Sequence, residues 1–176
     1  MTICPIAYST TPSSLGCLLV AGTADGICSV KLADDKADLV RELEWELEVI
    51  APTNAAPVVN WMHQLANYLS GGAWPELPTA IAGTEFQQQV WQSLRQIPVG
   101  TTMTYGELAR KLGKSPAAAR AVGRACATNP AALVVPCHRV VGSTGNLTGF
   151  RWGLDRKRAL LELERQYADQ QLELLG

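Results

Sequence analysis

The chain has 176 residues, 47% of them apolar and 18% charged, with a net charge of -1, enough to bury one large core or two small ones. No run of about 18 uncharged apolar residues occurs, and Met1–Pro5 carries no basic region ahead of an apolar one, so neither a membrane span nor a secretory signal is expected. Five cysteines (Cys4, Cys17, Cys28, Cys126, Cys137) with no CxxC pair argue against a disulfide scaffold and for a reducing compartment, the cytoplasm.

In chain order, β-rich runs at Ile3–Tyr8, Leu15–Val20 and Ile27–Leu32 come first, the last two joined through Asp25-Gly26, a hairpin signal. Asp34 or Asp35 caps a helix carrying Leu39, Val40, Leu43 and Leu47. Asn60–Ser70 reads as a second helix with Trp61, Met62, Leu65 and Leu69 on one face and Gly71-Gly72 as its stop. Cys4, Cys17, Cys28 and His63 lack metal-ligand spacing, so no metal is expected. Two glycines and two prolines within Gly71–Pro78 read as a linker, which divides the chain into domains 1–78 and 79–176.

Past the linker, Thr84 with Gln87 forms a capping box that opens a helix bearing Phe86, Val90, Trp91 and Leu94. Thr104 with Glu107 repeats the pattern for a helix with Leu108, Ala109 and Leu112, stopped at Gly113. Ser115 caps the next, with Pro116 at its first position and its end near Ala127. Two short helices across a glycine-containing turn predict a helix-turn-helix. The second of them is built of alanine and glycine with Arg120 and Arg124 four residues apart, which permits close approach to a groove. The charge supports that reading: Leu108–Leu154 has no acidic residue and seven basic ones (Arg110, Lys111, Lys114, Arg120, Arg124, Arg139, Arg151), a polyanion-binding stretch in an otherwise acidic chain.

The run Val134-Val135-Pro136-Cys137-His138-Arg139-Val140-Val141 sets a thiol, an imidazole and a guanidinium in succession within an apolar strand-like context. Pro136 has no N–H for a ladder, so the chain must kink where the thiol is offered. Neighbouring cations would favour the thiolate. A Cys-His hydrolase is disfavoured, because adjacent side chains diverge in a strand; a plain regulator would leave the cysteine cluster idle. Gly149–Gly153 then forms a loop with two aromatics and an arginine, able to wall an aromatic ligand. A closing helix from about Asp155 places Leu160, Leu163 and Tyr167 on an apolar face.

Pro136-Cys137-His138-Arg139, preceded by Arg120-Ala121-Val122-Gly123 and Asn129-Pro130, resembles the O6-alkylguanine-DNA alkyltransferases; Thr104–Ala109 and Gly149–Gly153 align as well. The resemblance covers roughly Thr84–Glu164. It implies an RNase H-like α/β N-terminal domain followed by a mainly α, winged-helix-like DNA-binding domain with a helix-turn-helix. It also implies direct-reversal DNA repair by a methylated-DNA–protein-cysteine methyltransferase. Cys137 would take the alkyl group from O6-alkylguanine, and from O4-alkylthymine, irreversibly and once, with no cofactor. A water would link Cys137 to His138, and Glu164 would orient His138. Asn129 would be a hinge between the recognition helix and the active-site strand, and Tyr105 would bond the flipped base.

Arg120 would fill the vacated stack from the minor groove of double-stranded DNA, and Ser143 would contact phosphate. The Cys137 and Val140 carbonyls and the Arg151 backbone N–H would read the guanine beside Phe150, and Lys157 aligns with a lysine near the site. A monomer is expected. Departures from the family pattern fall at Phe150, Arg151 and Trp152, where the tryptophan would narrow the pocket mouth, and at Ala132, where a small residue would relax the opposite wall.

Overall fold

The structure, a computed structural model, describes residues 6–47 and 55–176. The chain forms two compact units: one of the residues up to Ile81 together with Pro130–Val134, the other of Ala82–Asn129 and Val135–Gly176. Five residues far along the sequence thus belong to the first unit, where Val30 N donates to Pro130 O and Ala132 N to Val30 O. Among the described residues no helix is long and apolar enough to cross a membrane.

The first unit is an antiparallel sheet of β1 (Ala7–Ser13), β2 (Gly16–Thr23) and β3 (Gly26–Ala33) in that order, with helices α1 (Lys36–Glu46) and α2 (Ala56–Leu69). The first strand lies later than the run Ile3–Tyr8, whose first residues fall outside the described ones. Thr10 and Thr11 suit an edge strand, and Pro12 is tolerated there because no neighbour needs its N–H. The turn into β2 closes where Ser13 Oγ donates to Gly16 O at 2.7 Å. β2 is central, and its residues Leu18–Gly22 are all buried. Asp35 caps α1 by accepting from Ala37 N at 2.5 Å, and Leu39 and Leu43 pack with Tyr8, Leu19 and Ala21. α2 begins four residues before the expected Asn60, because Pro57 with its fixed φ fits a helix's first turn.

The second unit contains α3 (Glu85–Leu94), α4 (Tyr105–Lys111), α5 (Ala119–Ala127) and α6 (Leu154–Leu175), with β4 (Met103–Thr104) paired parallel to β5 (Val140–Val141). Both capping boxes form: Thr84 and Gln87 exchange bonds of 2.8 and 3.2 Å, Thr104 and Glu107 bonds of 2.7 and 3.2 Å. The helix expected from Pro116 starts instead as a 3₁₀ turn over Pro116–Ala118, since Ala118 N reaches back only to Ser115 O, and becomes α-helical at Ala119. Trp91 Nε1 donates to Ala125 O at 2.8 Å, locking α3 to α5.

Cys137 does not lie on a strand. Val134 N and Cys137 N each bond the carbonyl two residues back, and Cys137–Arg139 form a single 3₁₀ turn before β5. With no donor at Pro136, the ladder cannot pass through this segment. The buried stripe of α6 also differs from the expected apolar one: it is Lys157, Leu160 and Glu164, whereas Leu163 and Tyr167 are only half-buried.

Candidate active site

Cys137 is 5% exposed and lines a cavity of about 270 Å³ with Tyr105, Gly123, Cys126, Ala127, Gly149, Phe150 and Arg151. The 3₁₀ turn, with Pro136 as its cap, aims the thiol into this space while His138 and Arg139 turn away into the protein. Asn129, buried just past the end of α5, donates from Nδ2 to Val135 O at 2.8 Å and to Cys137 Sγ at 3.3 Å. One side chain thereby ties the α5 terminus to the turn that carries the thiol.

Behind the thiol is a fully buried charge cluster. His138 Nε2 and Glu164 Oε1 are 2.9 Å apart, and Arg139 grips the same carboxylate through Nε (3.0 and 3.2 Å) and Nη2 (2.8 Å). Arg139 Nη1 donates to Ile97 O at 2.6 Å, and Gly100 N approaches Glu164 Oε2 at 3.5 Å. Burial acts to raise the Glu164 carboxyl, but hydrogen bonds from His138 and Arg139 and the Arg139 charge outweigh it and hold the group well below the usual carboxylate range. His138 is pulled below its ordinary value by burial, against the opposing pull of Glu164, and is neutral at neutral pH. A carboxylate can only accept, so the proton sits on Nε2 and Nδ1 keeps its lone pair. Nδ1 is buried with no hydrogen-bond partner among the described protein atoms, so it is a base with its acceptor site unspent.

The expectation that neighbouring cations make Cys137 a ready thiolate needs correction. Burial pushes the thiol up; the Asn129 hydrogen bond and the Lys157 charge pull it back, while Arg139, spent on Glu164, faces the other way. Arg139 also drops out of the basic surface. The other six basic residues of that stretch are exposed.

Lys157 is fully buried on α6, and its Nζ donates to the carbonyls of Val140 (2.6 Å), Thr148 (3.0 Å) and Gly149 (3.3 Å). The Val140 carbonyl expected to read a base is thus already engaged on one side. Tyr105 Oη donates to Thr148 O at 3.1 Å, and burial pushes the phenol up. Phe150 and Arg151 line the cavity, whereas Trp152 is buried edge-to-face on Phe150 at 5.2 Å instead of narrowing the mouth. A wider groove of about 730 Å³ shares Tyr105, Gly123 and Gly149 with the cavity and is lined also by Arg110, Arg120 and Ser143. Every predicted site residue therefore falls at the cavity, behind it or along the groove.

Sequence reasoning missed Cys126, a second thiol on the cavity wall whose pKa burial raises strongly. It also missed the Thr148 carbonyl, which a residue type cannot signal. Three-residue spacing from Gly123 on one helix face was the sole hint for Cys126. Among the described residues no group of three or more His, Cys, Asp or Glu could hold a metal; Cys4 lies outside them and His63 is exposed.

The model of the 6-O-methylguanine DNA methyltransferase ribonuclease-like domain matches residues 6–73, and that of the DNA-binding domain of the same family matches residues 85–166. The methylated-DNA–protein-cysteine methyltransferase of Mycolicibacterium paratuberculosis is 39% identical over 96% of this chain and 98% of its own. The bifunctional transcriptional activator/DNA repair enzyme Ada of Escherichia coli is 42% identical over 92% of this chain, which spans only 46% of Ada. The crystal structure of the Mycobacterium tuberculosis O6-methylguanine methyltransferase superposes with a TM-score of 0.81 at 37% identity, covering 97% of this chain and 99% of that one. Its complex with DNA gives 0.79 at 36% identity, with 92% and 94% covered. With both domain models matched in order and relatives aligned from end to end, this chain belongs to the 6-O-methylguanine DNA methyltransferase family.

Proposed function

We propose that this protein repairs DNA by moving the alkyl group of O6-alkylguanine, or of O4-alkylthymine, onto Cys137 in a single irreversible turnover. The observation that carries the reading is the Cys137 turn, which offers its thiol to a cavity near the lower end of ordinary ligand-pocket volumes, about 300 Å³, with a buried base behind it. Such a space suits one nucleobase. Its acceptor is used up by the product, because a thioether is not a leaving group under these conditions.

A water passes the Cys137 proton to His138 Nδ1, and Glu164 and Arg139 hold the imidazole in the tautomer that can take it. The thiolate sulfur forms a bond to the alkyl carbon, the carbon–O6 bond breaks, and its electron pair moves onto the guanine. Tyr105 turns its hydroxyl from Thr148 O to protonate the leaving base; the proton lost by the thiol is, over the turnover, the one the guanine gains. The Val140 carbonyl keeps a lone pair for the exocyclic amine, Phe150 walls the base, and the Arg151 backbone N–H faces O6.

The partner is double-stranded DNA. α4, the 3₁₀ turn and α5 form a helix-turn-helix that enters the minor groove, the target base flips into the cavity, and Arg120 takes its place in the stack. Ser143 sits on the groove rim to meet phosphate, and Asn129 is the hinge between α5 and the cysteine turn. The protein acts as a monomer in the cytoplasm, where thiols stay reduced.

The test is to incubate the protein with a duplex carrying O6-methylguanine and read intact and peptide masses. A gain of about 14 Da, one methylene, on the Cys137 peptide is expected, and none in Cys137→Ser. Tight binding of that duplex with no mass change would refute transfer and leave a damage-binding protein.

A further inference from the structure

Three helical arginines of the described residues lie three positions after an acid and pair with it at the surface: Arg41 with Asp38 at 2.8 Å, Arg158 with Asp155 at 2.8 Å and Arg165 with Glu162 at 2.7 Å. Arg110 follows Glu107 on α4 at the same spacing, with both residues exposed, and makes no such pair. The reason is local. Glu107 closes the capping box, so its carboxylate is turned back to accept from Thr104 N at 2.7 Å. Hydrogen bonds with Thr104, the backbone one foremost, hold the Glu107 carboxyl below its ordinary value, and the Arg110 charge contributes least. The guanidinium is left with no hydrogen bond or ion pair among the described residues.

What that guanidinium lines is the groove of about 730 Å³, together with Arg120 from α5 and Ser143 from the turn after β5. The groove shares Tyr105, Gly123 and Gly149 with the cavity that holds Cys137, so the two spaces are continuous. A base drawn into the cavity keeps its sugar and phosphates, and these have to lie where the cavity opens. Glu107 is the groove's one acid, and it is already spent on the cap.

We propose that this groove seats the sugar–phosphate of the flipped nucleotide and that Arg110 grips one of its phosphates. The inference rests on the alkyl-transfer reading above and gives it a strand-holding residue separate from Arg120. A guanidinium presents paired N–H donors that match phosphate oxygens. An arginine bound to an acid would first have to release it, and Arg110 has none to release. The tasks of the two arginines then differ. Arg120 fills a vacated place in a stack, which exists only in duplex. Arg110 holds the strand that bears the lesion, and that strand is present with or without its complement.

The test measures binding of an oligonucleotide carrying O6-methylguanine, as duplex and as single strand, to the full chain with Cys137→Ser, where no transfer consumes the site. Salt is varied over about 0.1 to 1 M, since each phosphate neutralised adds about 0.9 to the slope of log affinity against log salt on duplex and about 0.7 on a single strand. Arg110→Ala in that background should lose those amounts, so that between 1 M and 0.1 M salt its affinity falls behind by about 8-fold on duplex and about 5-fold on single strand. Arg110→Lys, which keeps the charge, should restore the slope. Arg158→Ala removes an exposed arginine that Asp155 already holds, and should leave it unchanged. With Cys137 in place, Arg110→Ala should take the methyl group from free O6-methylguanine at the wild-type rate, because the free base has no phosphate.

An unchanged slope in Arg110→Ala overturns the proposal, and so does an equal drop in Arg158→Ala, which would make the effect one of net charge. A drop on duplex with none on single strand also overturns it, because the phosphate held would then belong to the complementary strand. Methyl transfer by the wild type together with an unchanged slope would sink this proposal alone. A lowered slope with no transfer from O6-methylguanine would sink the repair reading alone.

Discussion

Replacing Glu164 by glutamine tests the buried cluster behind the thiol most directly. The carboxylate accepts three contacts from Arg139 and one from His138, all in residues with no exposure. Glutamine matches its shape but turns an acceptor into an NH₂ group facing a guanidinium, leaving a buried cation without its counter-charge. Removing one partner of a buried ion pair costs about 3 to 5 kcal/mol. With two compact units in the chain a single transition cannot be assumed, so stability is best read by hydrogen exchange in urea on peptides from Val135–Val141 and α6. Glu162→Gln on the same helix is the control: its carboxylate pairs with Arg165 at the surface, and no measurable loss is expected. A loss below about 1 kcal/mol in Glu164→Gln would refute the reasoning, since the buried charge would then be no more than a surface pair.

The pH dependence follows from the same groups. His138 is held below its ordinary value, so as pH falls the unfolded chain takes up the proton first, and stability declines from about pH 6.5 downward. Glu164 is also held low; its contribution is complete above about pH 4.3 and is lost as pH drops through its folded value. Wild type should therefore lose stability in two acid phases, and Glu164→Gln should lack the lower one.

Three other outcomes can be checked. Gly100 has φ 77°, and a Cβ there would meet the Ala168 Cβ at 2.7 Å, so Gly100→Ala should cost about 2 to 4 kcal/mol, whereas Gly145→Ala, with φ 80° but open space, should cost about 1, both by the same exchange measurement. In the first unit Lys31 Nζ is buried between Glu42 (3.0 Å) and Glu46 (2.6 Å), whose carboxylates reach solvent. Lys31→Met should thus cost under about 1.5 kcal/mol in a urea melt, while the double variant Glu42→Gln, Glu46→Gln strands the cation and should cost about 3 to 5. Arg120→Ala should slow transfer from duplex O6-methylguanine more than from the free base, because only the duplex requires a flipped nucleotide to be replaced; equal losses in the two single-turnover rates would contradict that role.

Local chemistry settled much of this protein before folding brought anything together. The capping boxes at Thr84–Gln87 and Thr104–Glu107, the Asp35 cap and the Asp25-Gly26 hairpin are bonds between residues at most a few positions apart, so their donors and acceptors are already visible in order. Pro136 likewise announces that no ladder crosses the cysteine segment, and the Pro-Cys-His-Arg run with its neighbours was enough to indicate the family. Tertiary structure decided what those side chains do. Glu164 lies 25 residues from Arg139, and only the burial of one face of α6 makes it a counter-charge and not a surface carboxylate. Arg139 looks like a surface cation and a thiol activator in sequence but is turned inward by that carboxylate, and Lys157, in sequence one more charge on a helix, is buried with its ammonium on the carbonyls of Val140, Thr148 and Gly149. Whether a charge stabilises its neighbour depends on direction and on exclusion of water, and both are properties of packing that no spacing along the chain contains.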